Sequence, residues 1–268
     1  MTTLPENGLR SSFKEKESVK RKALGGKEGT LKAVILAAGR GERLLPYTKE
    51  YPKPLTLISD RPILEHVICS FKQVGIREFI IVTGYLGYAI QRYFGDGSRL
   101  KVTIHYAQNP SYHRGNATSL AAAQDLLRND EIFILSMADH LMSRYMIERA
   151  LKYIDWQPLV CVDLKPLFPS FKVEDATKVL VGSDGYVEDI GKTIPNWNGV
   201  DTGLFLLNNS IFKVINQLEK MMNPLTLSCC IKQIIKSHRI WACDVSGSFW
   251  LDIDTLDDLA FARERYSL

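Results

Sequence analysis

Along the first half of the chain, unbroken apolar runs alternate with stretches whose apolar residues recur every three to four positions. Residues 32–36, 78–83, 101–106, 131–136 and 159–164 are short and rich in β-branched or aromatic side chains, which predicts strands. The first of these, K-A-V-I-L, has no polar alternation and reads as a strand buried on both faces. Residues 62–74 predict a helix with Pro62 at its first position and Gly75 beyond its end. Residues 117–128 predict a second helix, and Ser143 is placed to cap a third that runs to residue 154. Strand and helix repeated in this way imply an α/β fold with a mostly parallel sheet covered on both faces.

Past Pro166 the pattern changes. Residues 178–181, the turn Gly182-Ser183-Asp184-Gly185 and residues 186–190 predict a β-hairpin. Residues 200–207 resume a buried strand, residues 209–222 and 226–237 read as helices, and 240–245 and 249–253 as short strands. A helix from residue 255 to about 266 closes the chain. With no internal repeat and no long linker, residues 31–268 are expected to form one domain with an irregular, hairpin-bearing second half. In open parallel sheets, ligands bind outside the carboxyl ends of the strands. The loop after residue 36, Thr83-Gly84, Gly115-Asn116 and Asp139-His140 all fall at or just beyond such ends, so the topology predicts that they converge.

Composition narrows the class without naming a chemistry. The 268 residues are 46% hydrophobic and 24% charged, ordinary values for a globular protein. No stretch approaches the ~18 uninterrupted apolar residues of a bilayer span, and the N-terminus lacks a signal-peptide core, so a cytoplasmic location is expected. Cys69, Cys161, Cys229, Cys230 and Cys243 show no C-x-x-C spacing and read as buried free thiols, not disulfides or zinc ligands. The net charge of +4 sits mostly in residues 1–30, where seven basic side chains oppose four acidic ones. The body is therefore nearly neutral, which argues against a nucleic-acid surface. Residues 1–30 read as a mobile basic leader; weak attachment to an acidic membrane surface is left open, although the apolar face of such helices is lacking. Homodimerisation is left open as well.

Candidate chemistry begins at residues 36–55, L-A-A-G-R-G-E-R-L-L-P-Y-T-K-E-Y-P-K-P-L. Gly39 and Gly41 let the backbone approach an anion closely, so that main-chain N–H groups can face phosphate oxygens, and Arg40, Arg43, Lys49 and Lys53 add charge. A dinucleotide turn would need a third glycine where Leu44 stands, and the spacing of a Walker loop is absent. On these residues the chain resembles the nucleotidyltransferases that join a nucleoside triphosphate to a sugar phosphate or a phosphorylated alcohol. In that family the L-A-A-G-x-G-x-R…P-K signature wraps the triphosphate, which places the arginine on Arg43 and the lysine on Lys53. The resemblance implies a Rossmann-like, mostly parallel mixed sheet. Glu42 departs from the threonine or serine that often precedes the arginine.

A closed triphosphate site needs more positive charge than lysine and arginine supply, and Mg²⁺ held by carboxylates supplies it. Asp139 ends the S-M-A-D-H stretch and Asp252 lies in W-L-D-I-D-T; the resemblance places the family's metal aspartates on these two. Asp254, ahead of Thr255, Asp257 and Asp258, reads first as a helix cap, with a share in the metal site left open. His140 is expected to be a pocket wall or hydrogen-bond partner. The resemblance further implies nucleotide contacts from Leu36, Ala37, Ala38, Gly39, Arg40 and Gly41, a base pocket around Thr83, Gly84, Gly115, Asn116 and Ser119, and acceptor contacts from Lys192, Asp201, Thr202 and Gly203.

The Gly-Asn-x-x-Ser pattern and the W-L-D-I-D-T ending look most like cytidylyltransferases acting on phosphorylated alcohols, the inositol-1-phosphate branch in particular. Expected partners are therefore CTP and a small phosphorylated alcohol, with CDP-inositol and pyrophosphate as products. Phosphocholine or a hexose phosphate are alternative acceptors; Tyr112, Trp197 and Phe205 are the aromatics available to a choline cage. An inert nucleotide-binding regulatory subunit is the alternative from another class, and the presence of Lys53 with both aspartates weighs against it.

Overall fold

The computed structural model describes residues 31–127, 132–156, 158–166 and 175–266. The leader, together with Arg128 and Glu131 at the edges of two predicted elements, lies outside them. The strands are β1 (Lys32–Ala37), β2 (Leu57–Ile58), β3 (Arg61–Pro62), β4 (Glu78–Thr83), β5 (Thr103–Gln108), β6 (Ile132–Met137), β7 (His140–Met142), β8 (Leu159–Asp163), β9 (Lys178–Val181), β10 (Val187–Gly191), β11 (Gly199–Asn208), β12 (Trp241–Asp244) and β13 (Trp250–Asp252). The helices are α1 (Ile63–Gln73), α2 (Gly87–Phe94), α3 (Asn116–Ala121), α4 (Arg144–Leu151), α5 (Ser210–Leu218), α6 (Leu227–Ile235) and α7 (Leu256–Tyr266).

A nine-stranded mixed sheet forms the middle layer, in the order β10-β9-β11-β6-β1-β4-β5, with β8 on β11 and β12 on β8. β5, β4, β1 and β6 run parallel, whereas β11 is antiparallel to β6. The chain leaves β1 toward β4 on one side and later returns on its other side as β6, so a crevice opens where the two directions part. Because β11 is reversed, its early residues, Asp201 to Gly203, lie at the same edge as the carboxyl ends of β1 and β6.

Alternation in β1 explains why helices cover both faces. Ala33, Ile35 and Ala37 pack with Leu64, Ile68, Phe71 and Met146 of α1 and α4, while Val34 and Leu36 pack with Leu120, Phe212 and Ile231 of α3, α5 and α6. A third apolar cluster, Leu44, Ile58, Ile63, Leu141, Leu251, Ile253 and Leu259, seats α7 beneath the glycine loop. Among the described residues no helix is long and apolar enough to cross a membrane.

Several predicted elements move. Lys101 adopts φ 57° after a turn of 3₁₀ helix at Ser98–Leu100, so β5 starts at Thr103 instead of 101. The helix expected over 117–128 stops at Ala121 and continues as a 3₁₀ turn, Gln124–Leu126. Helix α2 is absent from the predicted set. Pro62 precedes α1 in extended conformation and is not its first residue. Ser143 does stand at the N-terminus of α4, but its hydroxyl makes no capping bond, and the helix ends at Leu151. The helix expected over 209–222 spans Ser210–Leu218 only.

Candidate active site

β1 delivers the chain into the glycine loop, and the loop folds back over the lysine that follows it. Gly41 has φ 66°, and a Cβ there would come within 2.7 Å of Lys53 Cβ, so both its conformation and its neighbour require glycine. Thr48 Oγ1 donates to the Gly41 carbonyl at 2.9 Å and fixes the loop's return. A Cβ on Gly39 would meet nothing within 4 Å, so space is open beside its backbone. Arg40 pairs with Glu42 at 3.1 Å and lies 5.7 Å over the Tyr85 ring, so Glu42 serves the loop itself.

Lys53 is only 6% exposed. Its Nζ donates to Asp139 Oδ2 at 2.6 Å and to Asp254 Oδ1 at 2.7 Å. The other Asp254 oxygen accepts from Arg43 at 2.6 Å, and Arg43 also reaches Asp175 at 3.4 Å. Burial works against the ammonium, yet Asp139, Asp252 and Asp254 hold the Lys53 pKa above its ordinary range. Burial likewise opposes ionisation of Asp139, and Lys53 with His140 outweighs it, keeping that carboxyl well below the usual range.

The two aspartates expected to hold a metal come together through a strand pairing. β7 and β13 are antiparallel with His140 opposite Asp252, and Ile253 N donates to the Asp139 carbonyl at 3.1 Å. Trp250 Nε1 donates to the buried Asp163 at 2.9 Å, which anchors β13 to the end of β8. His140 Nδ1 lies 2.9 Å from Asp139 Oδ1 and 3.6 Å from Asp252 Oδ1. Against burial, Asp252, Asp139 and Asp201 push the His140 pKa up to about 9. A protonated imidazole has no lone pair for a metal. Ligand atoms of Asp139, His140 and Asp252 lie within 4.8 Å of one another, and Asp252 Oδ1 is buried with no hydrogen-bond partner. Two carboxylates, one with an oxygen still unclaimed, fit a hard divalent cation such as Mg²⁺. Burial, with the neighbouring Asp139 and Asp254, pushes the Asp252 pKa up to about 7 against the pull of His140 and Lys53.

Arg43, Asp139, His140, Asp252 and Asp254 line a cleft of about 790 Å³. Leu36, Ala38, Gly39, Arg43, Gly115, Asn116 and Ser119 of the expected nucleotide contacts line it, as do Lys192, Asp201 and Gly203 of the expected acceptor contacts. A smaller hollow of about 390 Å³ beside it is bounded by Ala37, Arg40, Gly41 and Lys53. Gly115 has φ 107°, and a Cβ there would stand 2.1 Å from the Leu225 carbonyl oxygen. Asn116 Oδ1 accepts from Leu227 N at 2.8 Å, so the Gly115-Asn116 loop is clamped to the start of α6. The His140 ring packs against Gly203, and burial raises the Asp201 pKa to about 6.

Three expectations are corrected. Thr83 is buried, its hydroxyl 3.4 Å from the Ala107 carbonyl, so its side chain does not reach the cleft, while the neighbouring Gly84 stands against Ala38 and Tyr112 of the cleft wall. Thr202 is fully buried and donates to the Cys161 carbonyl at 3.0 Å, pinning β11 to β8. Asp254 does not cap α7: Thr255 N donates to Asp258 Oδ2 at 2.7 Å and Asp258 N to Thr255 Oγ1 at 3.3 Å, a reciprocal capping box one residue later. Of the three aromatics, Tyr112 and Phe205 line the cleft and Trp197 does not. Asp175 and Lys232 also line it, unforeseen from sequence. Lys232 pairs with Asp189 at 2.7 Å, and its spacing on α6 reads as a solvated face until the helix is placed against β10.

Residues 32–159 match the family described as Nucleotidyl transferase. The chain is similar to the "Bifunctional IPC transferase and DIPP synthase" of Aquifex aeolicus, 32% identical over 232 residues, 87% of this chain and 51% of that protein. The protein of the same description from Archaeoglobus fulgidus is 33% identical over 244 residues, 90% of this chain and 45% of that one. The chain thus spans about half the length of these relatives. In fold it is similar to the inositol-1-phosphate CTP transferase from T. maritima, with a TM-score of 0.79 at 23% identity over 89% of this chain and 96% of the other.

Proposed function

We propose that the chain is a nucleotidyl transferase, a reading that the match of residues 32–159 supports, and that it transfers the cytidylyl group of CTP to inositol 1-phosphate, releasing pyrophosphate and leaving CDP-inositol. The observation that carries the reading is the ion-paired cluster of Lys53 and Arg43 with Asp139 and Asp254, beside a cleft that Asp139, Asp252, Lys192 and Asp201 line together. An acceptor phosphate oxygen attacks the α-phosphorus in line. The new P–O bond forms as the bond from the α-phosphorus to the β-bridging oxygen breaks, and that oxygen leaves with its electron pair on pyrophosphate. The acceptor needs little help from a base, because a phosphate monoester with a second pKa of about 6 is mostly ionised at neutral pH.

Positioning and charge neutralisation then carry the rate. Arg43 and the loop amides at Gly39 to Gly41 face the leaving group. The Lys53 ammonium has three N–H donors, of which Asp139 and Asp254 take two, so one is free for the α-phosphate or the attacking oxygen. Lys192 receives the acceptor's phosphate and Asp201 a hydroxyl of its ring. Asp139 and Asp252 would hold Mg²⁺, whose charge, when bound, offsets that of the phosphates.

The test is pyrophosphate release, with and without EDTA, for four nucleoside triphosphates against inositol, choline and hexose phosphates. Release with CTP and inositol 1-phosphate, abolished by EDTA, is expected. Activity only with a hexose phosphate or with phosphocholine would overturn the acceptor assignment.

A further inference from the structure

Asp254 uses both of its oxygens, one on each of the two cations assigned to the phosphates. Its Oδ1 accepts from Lys53 at 2.7 Å and its Oδ2 from Arg43 at 2.6 Å. The carboxylate is thereby committed to lysine and arginine through hydrogen bonds, in contrast to Asp252, whose buried Oδ1 accepts no hydrogen bond and has only His140 at 3.6 Å. Capping does not account for Asp254, since Thr255 and Asp258 cap α7 between them. Nor is it a surface pair of little worth, because Lys53 is almost fully buried. A lysine stem is flexible and would otherwise sample several rotamers; two carboxylates bonded to the ammonium fix its direction. We propose that Asp254 is a positioning residue, which sets Lys53 and Arg43 as one rigid unit against the nucleotide's phosphates and leaves the metal to Asp139 and Asp252. It rests on the reading of Lys53 and Arg43 as the phosphate-binding cations.

Loss of such an outer partner costs on the order of 10–100-fold in activity. Three variants of the full chain, Asp254→Asn, Asp254→Glu and Asp252→Asn, are compared with wild type by pyrophosphate release, by Mn²⁺ binding without nucleotide (free-ion EPR), and by the acetylation rate of Lys53 (mass spectrometry). Asp254→Asn, which keeps the shape and removes the charge, is expected to lower kcat by roughly 10–100-fold with KM for CTP nearly unchanged. Its Mn²⁺ affinity stays near wild type while that of Asp252→Asn falls at least tenfold, its Lys53 acetylates several-fold faster, and Asp254→Glu recovers part of the lost kcat. A kcat of Asp254→Asn near that of wild type, or a Mn²⁺ affinity that falls as far as in Asp252→Asn, overturns the proposal. Wild type that is inactive with CTP and inositol 1-phosphate defeats the assigned reaction; Asp254 is then judged by Mn²⁺ affinity and Lys53 labelling, and unchanged labelling in Asp254→Asn overturns its role.

Discussion

Replacing Lys53 with methionine keeps an unbranched stem under Gly41 and removes only the ammonium, so it isolates the charge at the centre of the site. Two charge-assisted bonds of 2.6 and 2.7 Å are lost, and Asp139 and Asp254 are left without their shared cation. Breaking a buried pair by removing one partner costs about 3–5 kcal/mol. The carboxylates are 27% and 23% exposed, so water and proton uptake recover part of this, and a net loss of roughly 2–3 kcal/mol is expected at pH 7.5. The sign of the pH dependence follows from Asp139, whose folded pKa Lys53 holds below its unfolded value. That stabilisation is present above the unfolded pKa of about 4 and is lost as pH falls further. In the methionine variant burial is opposed only by His140 at Asp139 and by Arg43 at Asp254, so the freed carboxyls are expected to take up protons before those of the unfolded chain do. The stability deficit, read from urea unfolding, should therefore shrink between pH 7.5 and pH 5. Turnover should fall by at least about 10²–10³, the effect of deleting one charge-stabilising donor. Turnover within tenfold of wild type, or a deficit that does not change with pH, would refute the reasoning.

Two further outcomes concern the frame around the site. Gly115→Ala should destabilise the fold by more than about 1–2 kcal/mol, because it combines a φ of 107° with a Cβ 2.1 Å from the Leu225 carbonyl oxygen; a melting temperature equal to wild type would contradict this. Thr255→Ala removes the hydroxyl that accepts from Asp258 N and should cost about 1 kcal/mol in urea unfolding; no change would return the capping role to another residue.

The strands that carry the site were legible because their apolar runs are continuous. β4 falls on the residues predicted for it, and β1 differs by one residue at its end. Helix α2 was not, since Tyr88 and Tyr93 stay exposed and blur its period. The glycine loop, Lys53 and the two aspartates proposed to hold a metal were readable as residue types, but what unites the aspartates, the β7–β13 pairing, is a contact across more than a hundred residues. Asp254 was misassigned for a related reason. A Thr-x-x-Asp box at Thr255 and an aspartate cap one position earlier look alike locally, and only the contact with Lys53, 201 residues away in sequence, separates them. Thr83 and Thr202 show the same limit from the other side: both sit beside glycines at the sheet edge, yet their hydroxyls serve neighbouring strands.

The most direct test of the account is ³¹P NMR of the full chain with CTP, inositol 1-phosphate and Mg²⁺. The account predicts that the three triphosphate signals decay together with the phosphomonoester signal, replaced by pyrophosphate and a pyrophosphate diester in equal amounts. A triphosphate that is untouched, or that is hydrolysed while the phosphomonoester signal persists, would contradict it.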